Sequence, residues 1–595
     1  MSEKITYRTT GGRFLTEAIG SEPVYSREQF DDEQKEIHQM VSDFAAERIR
    51  PNNDALNLFN KDLTFELFRE LGELGILSID VPEEYGGMEL DKITSALVVE
   101  ALSGGHNASF TATITAHVGI GSLPIVWFGT PEQKAKYLPK LASGEWMGAY
   151  ALTEPSSGSD ALSAKCTAMP TEDGKYYILN GEKQFITNGG WAEVFTVFAQ
   201  VGGSKFSAFI IERGLEGFEI GAEEKKMGMK GSSTVALKFT DCKVPAENLL
   251  YEVGKGATIA FNALNLGRFK LAAADLGGCK GTITEAVKYA LERRQFGQSI
   301  AQFDAIKGKV ADMVIRTYSS DSMAYRTIGL IQEAVDKLDK SNPAYYLKAG
   351  EATEQYAIEA SMAKVYVSEA FSFCADTGIQ ILGGYGFSEE YPMAAPYRDT
   401  RIDRIWEGTN EINRQIVTGY MMKKALMEEL PIRDYINAIE AFLNGDEELS
   451  ADGCCADEIK TIEAGKRLAA SLFNEALCEY GQDLKHQQQL MEILADMFTL
   501  LYTADSTISR VRQVIEADGH NQTLVDIAKV HAAEVSIQLM NMALAGWNGV
   551  YRGNLPPEIT AKLRIFQRHM LPKTDILGLK RQIAEAIYAQ QRYPF

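Results

Sequence analysis

Glu407 stands between Trp406 and Gly408 in the stretch RIDRIWEGTNEINR, residues 401–414. A carboxylate between a large apolar ring and a glycine is suited to proton abstraction. The alternative to a solvated loop carboxylate is a desolvated one with a raised pKa, the state of the minority that do chemistry. The plainer reading is helix punctuation. Thr409 or Asn410 can cap a helix running through Ile412, Ile416, Val417 and Met421, and acidic residues near a helix start complement its dipole. Loop carboxylates are usually solvated, so Glu407 has to be judged by its company.

Four other segments keep that company. YALTEPSSGSD (150–160) is built of turn formers, either a plain interdomain turn or a loop whose hydroxyls and N–H groups meet a ligand rich in acceptors. FITNGG (185–190) sets Phe185 two positions before Thr187, which suits a flat ring system with polar edges, although a lone phenylalanine is as often a core residue. ERRQFGQ (292–298) and QILGGYGF (380–387) pair basic and aromatic residues with glycines. The common nucleotide cradles are missing: the sequence has no strand-linked G-x-G-x-x-G and no G-x-x-x-x-G-K-[ST]. No metal site is read, since H-E-x-x-H is absent and the seven histidines form no ligand spacing.

These residues need a frame to hold them. The 595 residues imply three or four domains, and 45% hydrophobic with 24% charged content is that of a soluble globular chain. Residues 30–147 carry helical spacing, as in FDDEQKEIHQMVSDFAAERI. From about Lys165 to Leu250 the texture turns to strands: YYIL-NG-EKQFI reads as a hairpin closed by Asn180-Gly181, followed by VFTVFAQV-GG-SKFSAFII and STVALKF. Helical spacing resumes near Ala257 and continues over 305–338 and 351–380, lengths suited to an antiparallel bundle. AFLNGDEELSADGCCADE then reads as an acidic linker, and 457–595 is helical again. The division is an N-terminal extension (1–29), a helical domain (30–147), a β domain (148–256), a four-helix domain (257–430) and a helical extension (431–595). The fold class is mainly α with a central β domain.

The net charge of −21 argues against nucleic acid or an anionic membrane as the main partner. The seven scattered cysteines fit a reducing compartment. The first 30 residues mix Arg8, Arg13 and Arg27 with Glu3, Glu17, Glu22 and Glu28 and have no apolar core, so no secretory or transit signal is read. No run of 18 apolar residues suggests a transmembrane helix. Residues 444–460 set Asp446, Glu447, Glu448, Asp452, Asp457 and Glu458 against Lys460, a stretch that anionic lipid would repel and that is expected as a short acidic loop or as disorder. A soluble, cytoplasmic, bacterial protein is expected.

In their order and placement, the five motifs resemble the acyl-CoA dehydrogenase family over about residues 30–430, and the helical extension is similar to that of its very-long-chain branch. The resemblance implies an N-terminal helical domain, a middle β-barrel-like domain and a C-terminal helical bundle, with FAD as cofactor and a fatty acyl-CoA as substrate. It implies that Glu407 takes the pro-R α-proton while the β-hydride passes to flavin N5, giving trans-2-enoyl-CoA in the first step of β-oxidation. A ribityl hydroxyl and the N–H of Glu407 would form the oxyanion hole. Tyr150, Leu152, Thr153 and Ser159 match the loop against FAD, with Ser159 also reaching acyl-CoA. Phe185, Ile186 and Thr187 match the wall beside the isoalloxazine, where the family usually has tryptophan in place of Phe185. Arg293, Phe296, Gln380, Gly383 and Gly384 match the set that holds the pyrophosphate and adenosine of a neighbouring subunit's FAD, which implies an oligomer, a homodimer in this branch. Thr409, Asn410 and Glu411 match the FAD-touching segment after the base. Asn265, Arg268, Trp406 and Gly408 match substrate-binding positions, although Arg268 could instead form a helix-surface salt bridge. The expected electron acceptor is an electron-transferring flavoprotein. An acyl-CoA oxidase using O2 and a scaffold that keeps only the fold are the alternatives.

Overall fold

VFTVFAQV and KFSAFIIE are rich in β-branched and aromatic residues and lack strict polar alternation, as expected of strands covered on both faces. In the computed structural model, which describes residues 11–595, they form β4 (Val194–Val201) and β5 (Lys205–Glu212). The two pair antiparallel across Gly202 and Gly203, both at positive φ. Six further strands complete the sheet: β1 (Gly148–Ala151), β2 (Thr167–Pro170), β3 (Tyr176–Thr187), β6 (Phe218–Glu223), β7 (Thr234–Pro245) and β8 (Leu249–Leu250). Their order is β6-β7-β3-β2-β4-β5-β8, with β1 parallel to β4. The path ends at β6 and β8, so the barrel-like expectation becomes an open sheet.

Asn180-Gly181 does not close a hairpin. β3 runs straight through it, pairing with β7 on both sides, and the register slips between Leu179 and Gly181. Gly181 sits at φ +141°, and a Cβ there would lie 2.8 Å from the Cα of Cys166. The glycine thus makes a bulge in the β3–β7 ladder and packs its backbone against Cys166, a use of positive φ that the turn signature alone does not distinguish.

The helices that frame the site are α1 (Lys92–Ser103), α2 (Ala108–Ala116), α3 (Gly256–Glu292), α4 (Asp304–Asp336), α5 (Ala357–Leu382) and α6 (Asn410–Leu426). Glycine and alanine along α3 and α5 let these two helices pack closely, and α1 closes over α3. The extension adds α7 (Ala456–Tyr480), α8 (Gln488–Asp518), α9 (Gln522–Val550) and two shorter helices, Pro557–Met570 and Ile576–Gln590. It is no appendage: α8 packs on α4 and α6, and one continuous apolar core joins the extension to the bundle. A second core ties the first helices to the sheet. Among the described residues, Ala108–Phe128 is the one stretch long and apolar enough to cross a membrane, and it is mostly buried inside the fold and kinked at Gly119.

Residues 1–10 of the expected N-terminal extension lie outside the described residues. From Gly11 onward the segment is stitched to distant parts of the chain. The Ile19 N–H donates to Glu463 and the Val24 N–H to Gln513. Arg27 reaches Glu100 on α1 and Asp321 on α4, and Glu28 pairs with the buried Arg510 of α8, which also meets Asp321. The acidic linker is shorter than read: AFLN belongs to the helix Ile432–Asn444, and α7 starts at Ala456. Between them Glu447 pairs with Arg467 and Cys455 is buried, so the stretch is an ordered loop.

Candidate active site

The capping reading of Thr409 is correct: its hydroxyl accepts the Ile412 N–H and starts α6. It does not exhaust Glu407. Glu407 and Gly408 both take positive φ, 55° and 81°, a strained setting for a glutamate that persists only where neighbours enforce it. Asn413 enforces it from one turn into α6, donating through Nδ2 to the carbonyls of Gly408 (2.8 Å) and Thr409 (3.1 Å) and more distantly to that of Glu407. The buried Lys364 of α5 donates to the Gly408 carbonyl at 2.7 Å and to Asn410 Oδ1 at 2.8 Å. Arg268 Nε reaches the Glu407 carbonyl at 3.3 Å, and Arg268 is itself held by Asn265 at 2.6 Å.

The side chain is thereby turned toward α3, where Gly267 receives it; a Cβ at that position would stand 2.5 Å from Glu407 Oε2. This oxygen is buried and has no hydrogen-bond partner among the described residues, and the same holds for Nε1 of Trp406. The Glu407 N–H likewise meets no acceptor among them. Burial pushes the Glu407 carboxyl up to about 7 against the opposing pull of Arg268 and Lys364. The same burial brings Lys364 down to about 8. A carboxylate poised near neutrality at the end of a cavity is a general base in waiting.

The cavity, partly open to solvent, holds Thr187, Gly267, Trp406 and Glu407 in its lining. Small residues line much of its walls: Gly267, Ala274 and Gly278 on α3, with Ala108, Thr111, Ala112 and Thr115 on α2. From Gly267 to Thr282 the α3 wall is about 22 Å long at 1.5 Å per residue.

Three family models match the chain in succession: the acyl-CoA dehydrogenase N-terminal domain over 31–145, the middle domain over 149–242 and the C-terminal domain over 254–422. A probable acyl-CoA dehydrogenase of Bacillus subtilis is 40% identical over 596 residues, covering both chains completely. The chain belongs to the acyl-CoA dehydrogenase family. It is also 42% identical over 417 residues to the human mitochondrial very long-chain specific acyl-CoA dehydrogenase, a match covering 68% of this chain and 60% of that one. The crystal structure of an acyl-CoA dehydrogenase complexed with FAD from Bacillus anthracis superposes with a TM-score of 0.95 at 40% identity, covering 99% of this chain and 100% of that one. The protein is an FAD-dependent acyl-CoA dehydrogenase of fatty acid metabolism with a helical extension beyond the family core.

The surface of this dehydrogenase fits the cofactor. Phe185 is 63% exposed at φ 58°, its ring turned out while Ile186 turns in, and Thr187 faces the cavity. Thr153 is half-buried and Ser159 exposed beside it. A separate concave surface gathers Arg293, Gly383 and Gly384, with the Arg293 guanidinium 5.4 Å from the Tyr385 ring centre. Phe296 is 92% and Phe387 85% exposed near it, and Gln380 and Glu411 are exposed as well.

Other expected site residues are placed differently. Asn410 is buried, with its amide spent on Lys364, Ser368 and Glu369, so it positions the loop rather than touching FAD through its side chain. Tyr150, Leu152 and Ile186 are buried in the cores, with the Tyr150 phenol close enough to Glu407 to feel its charge. Arg268 is buried, which removes the surface salt-bridge alternative. Glu154, in the middle of YALTEPSSGSD, is spent on the fully buried Lys183 and on the N–H groups of Lys165 and Cys166. Sequence reasoning missed Gly267, Lys364 and Asn413. Lys364, alone in the apolar run SMAKVYV, was a readable signal, because an unpaired lysine on a buried face is rarely tolerated.

Proposed function

We propose that this dehydrogenase acts on long-chain fatty acyl-CoA with Glu407 as the catalytic base. The observation that carries the reading is the Glu407 carboxylate: unpartnered at Oε2, raised to about 7, and held at the end of a long cavity walled by small residues. Glu407 takes the α-proton of the thioester. Arg268 and Lys364 keep the carboxylate ionised enough to do so, and the unpartnered Glu407 N–H is available to the thioester oxygen as charge develops there. Bound FAD supplies the acceptor for the β-hydride. Thr153, Ser159, Phe185 and Thr187 would hold its ring system, and Arg293, Phe296, Gln380, Gly383 and Gly384 the adenosine half of a partner subunit's cofactor in a homodimer. The length of the α3 wall supports a long acyl chain over a short one.

The electron acceptor would be an electron-transferring flavoprotein. A soluble, cytoplasmic setting is supported by the acidic loop at 445–455, which offers an anionic lipid surface nothing to bind. The test is a panel of saturated acyl-CoAs from four to eighteen carbons, run with the parent and with Glu407→Gln. Glu407→Gln keeps its FAD and loses roughly 10²- to 10⁴-fold in turnover, and the parent favours the longer chains. Near-parent turnover by the variant removes the base assignment. Best activity on four or six carbons removes the chain-length reading.

A further inference from the structure

Five of the seven cysteines are buried, while Cys478 is exposed and Cys454 half-buried. Cys454 and Cys455 are neighbours in the chain, and their Sγ atoms stand 3.5 Å apart. They end the ordered loop that follows Asn444 and open α7. Cys455 is the N-cap, held at φ 60°, and its carbonyl accepts the Ile459 N–H at 2.9 Å in the first turn. Cys478 lies about 33 Å away along the same helix, out of reach of either sulfur. The early turns of α7 also hold the N-terminal segment, since Glu463 accepts the Ile19 N–H and Lys466 donates to the Glu17 carbonyl. Two thiols in contact, one reaching solvent and one shielded, have the arrangement of an attacking and a resolving sulfur.

We propose that Cys454 and Cys455 form a redox-active dithiol that reacts with small disulfides and closes reversibly to a vicinal disulfide, loosening the first turn of α7. Cys454, as the thiolate, attacks one sulfur of a disulfide R–S–S–R, expelling RS⁻ and forming a mixed disulfide with the other half. Cys455 passes its proton to the departing RS⁻ and attacks Cys454 Sγ, expelling the second RS⁻. The proton first lost from Cys454 ends on that second leaving group, so the protein gives up two electrons and the oxidant becomes two molecules of RSH. Burial, and then the neighbouring Cys454, push the Cys455 thiol up, which leaves the first attack to Cys454. The closed ring is strained, because adjacent Cα atoms are about 3.8 Å apart across a trans peptide, short of the roughly 4.4–6.8 Å that disulfides usually span. Strained bridges are readily reduced, and the backbone shift that closure demands falls on Cys455 and its bond from Ile459. Charge selects the oxidant. Asp452, Asp457 and Glu458 flank the pair, with Lys529 as the opposing cation beside Cys455, so a cationic disulfide approaches more readily than an anionic one.

The experiment oxidises the full-length, FAD-loaded protein with cystamine, a cationic disulfide, quenches with acid, alkylates free thiols after denaturation and reads each cysteine by peptide mass spectrometry. In the parent, the peptide holding Cys454 and Cys455 is lighter by two hydrogens and carries neither a cystamine half nor an alkyl group, while Cys478 carries a mixed disulfide. Cys455→Ala removes the resolving sulfur and leaves a cystamine half on Cys454. At low salt cystamine closes the ring about tenfold faster than glutathione disulfide, which is anionic, and the gap narrows at high salt. Hydrogen exchange over residues 456–463 speeds up on closure, and reduced glutathione restores both the mass and the slow exchange. A stable mixed disulfide on Cys454 of the parent, or two thiols still open to alkylation, would overturn the proposal. So would interchain dimers through these cysteines, equal rates with the two disulfides, a ring that reduced glutathione leaves shut, or exchange over 456–463 unchanged by closure. The parent's own mass decides ring closure even if Cys455→Ala fails to fold.

Discussion

Gly267→Ala tests whether the site was shaped around the carboxylate of Glu407. The added methyl would stand 2.5 Å from Oε2 and 2.8 Å from Cδ of that side chain. Ordinary contact begins at 3.4 Å, so the carboxylate has to withdraw by about 0.9 Å. A displacement of about 1 Å in a reacting group costs on the order of 10²-fold in rate. The fold has no reason to suffer, because the group that must give way is the end of a flexible side chain and alanine in a helix interior is about 0.5–1 kcal/mol better than glycine. The expected result is therefore divergent: stability equal or higher by chemical denaturation, FAD content unchanged by absorbance, and kcat down about a hundredfold in stopped-flow flavin reduction. A kcat within about threefold of the parent's would refute the reasoning, since it would mean the carboxylate works equally well from another position.

The pH dependence follows from the raised carboxyl. A general base abstracts a proton only when ionised, so with Glu407 in that role kcat/KM rises with pH through about 7 and flattens above it. The same shift has a stability sign: the folded state holds this proton more tightly than the unfolded chain, so ionisation lowers stability as pH climbs from 4.5 through about 7. Glu407→Gln should accordingly raise Tm at pH 8 and lose that advantage below pH 4.5. Lys364→Met removes the donor to the Gly408 carbonyl and Asn410; it costs about 1–3 kcal/mol in denaturant titration and moves the kcat/KM midpoint upward, because Lys364 holds the Glu407 carboxyl down. Arg510→Ala strips the buried partner from Glu28 and Asp321 and should cost about 3–5 kcal/mol, seen as a lower denaturation midpoint for the whole chain.

Sequence signals had uneven reach. Glu407 was legible through motif order alone, because a carboxylate between Trp406 and Gly408 reads more simply as helix punctuation. Gly267 was not, since a glycine within NLGRFK has many explanations and only the folded chain brings Glu407 against it. Asn180-Gly181 misled for a physical reason: positive φ serves a bulge as well as a turn, and only β7 pairing on both sides decides. The long helices were plain from their spacing. Their partners were not, because ion pairs such as Arg27 with Asp321 join residues that no local pattern relates. Asn410 shows the limit of motif matching, which names a position but not whether its side chain points to ligand or to a neighbouring lysine.

The stitched N-terminal segment also bears on synthesis. Glu28 and Arg510 are 482 positions apart, and at about 5–20 residues per second a ribosome takes roughly half a minute to a minute and a half to separate their births. Throughout that interval Glu28 and the Val24 N–H wait without their final partners, and the Ile19 N–H waits until Glu463 is made, whereas Arg27 can meet Glu100 and Asp321 far earlier. The first-made segment is thus among the last to settle, and a chain that stops before α8 leaves Asp321 facing one fewer cation in a site meant to be dry. Closure of this seam therefore waits on α8, which ties the early part of the chain to a late one before either is fully satisfied.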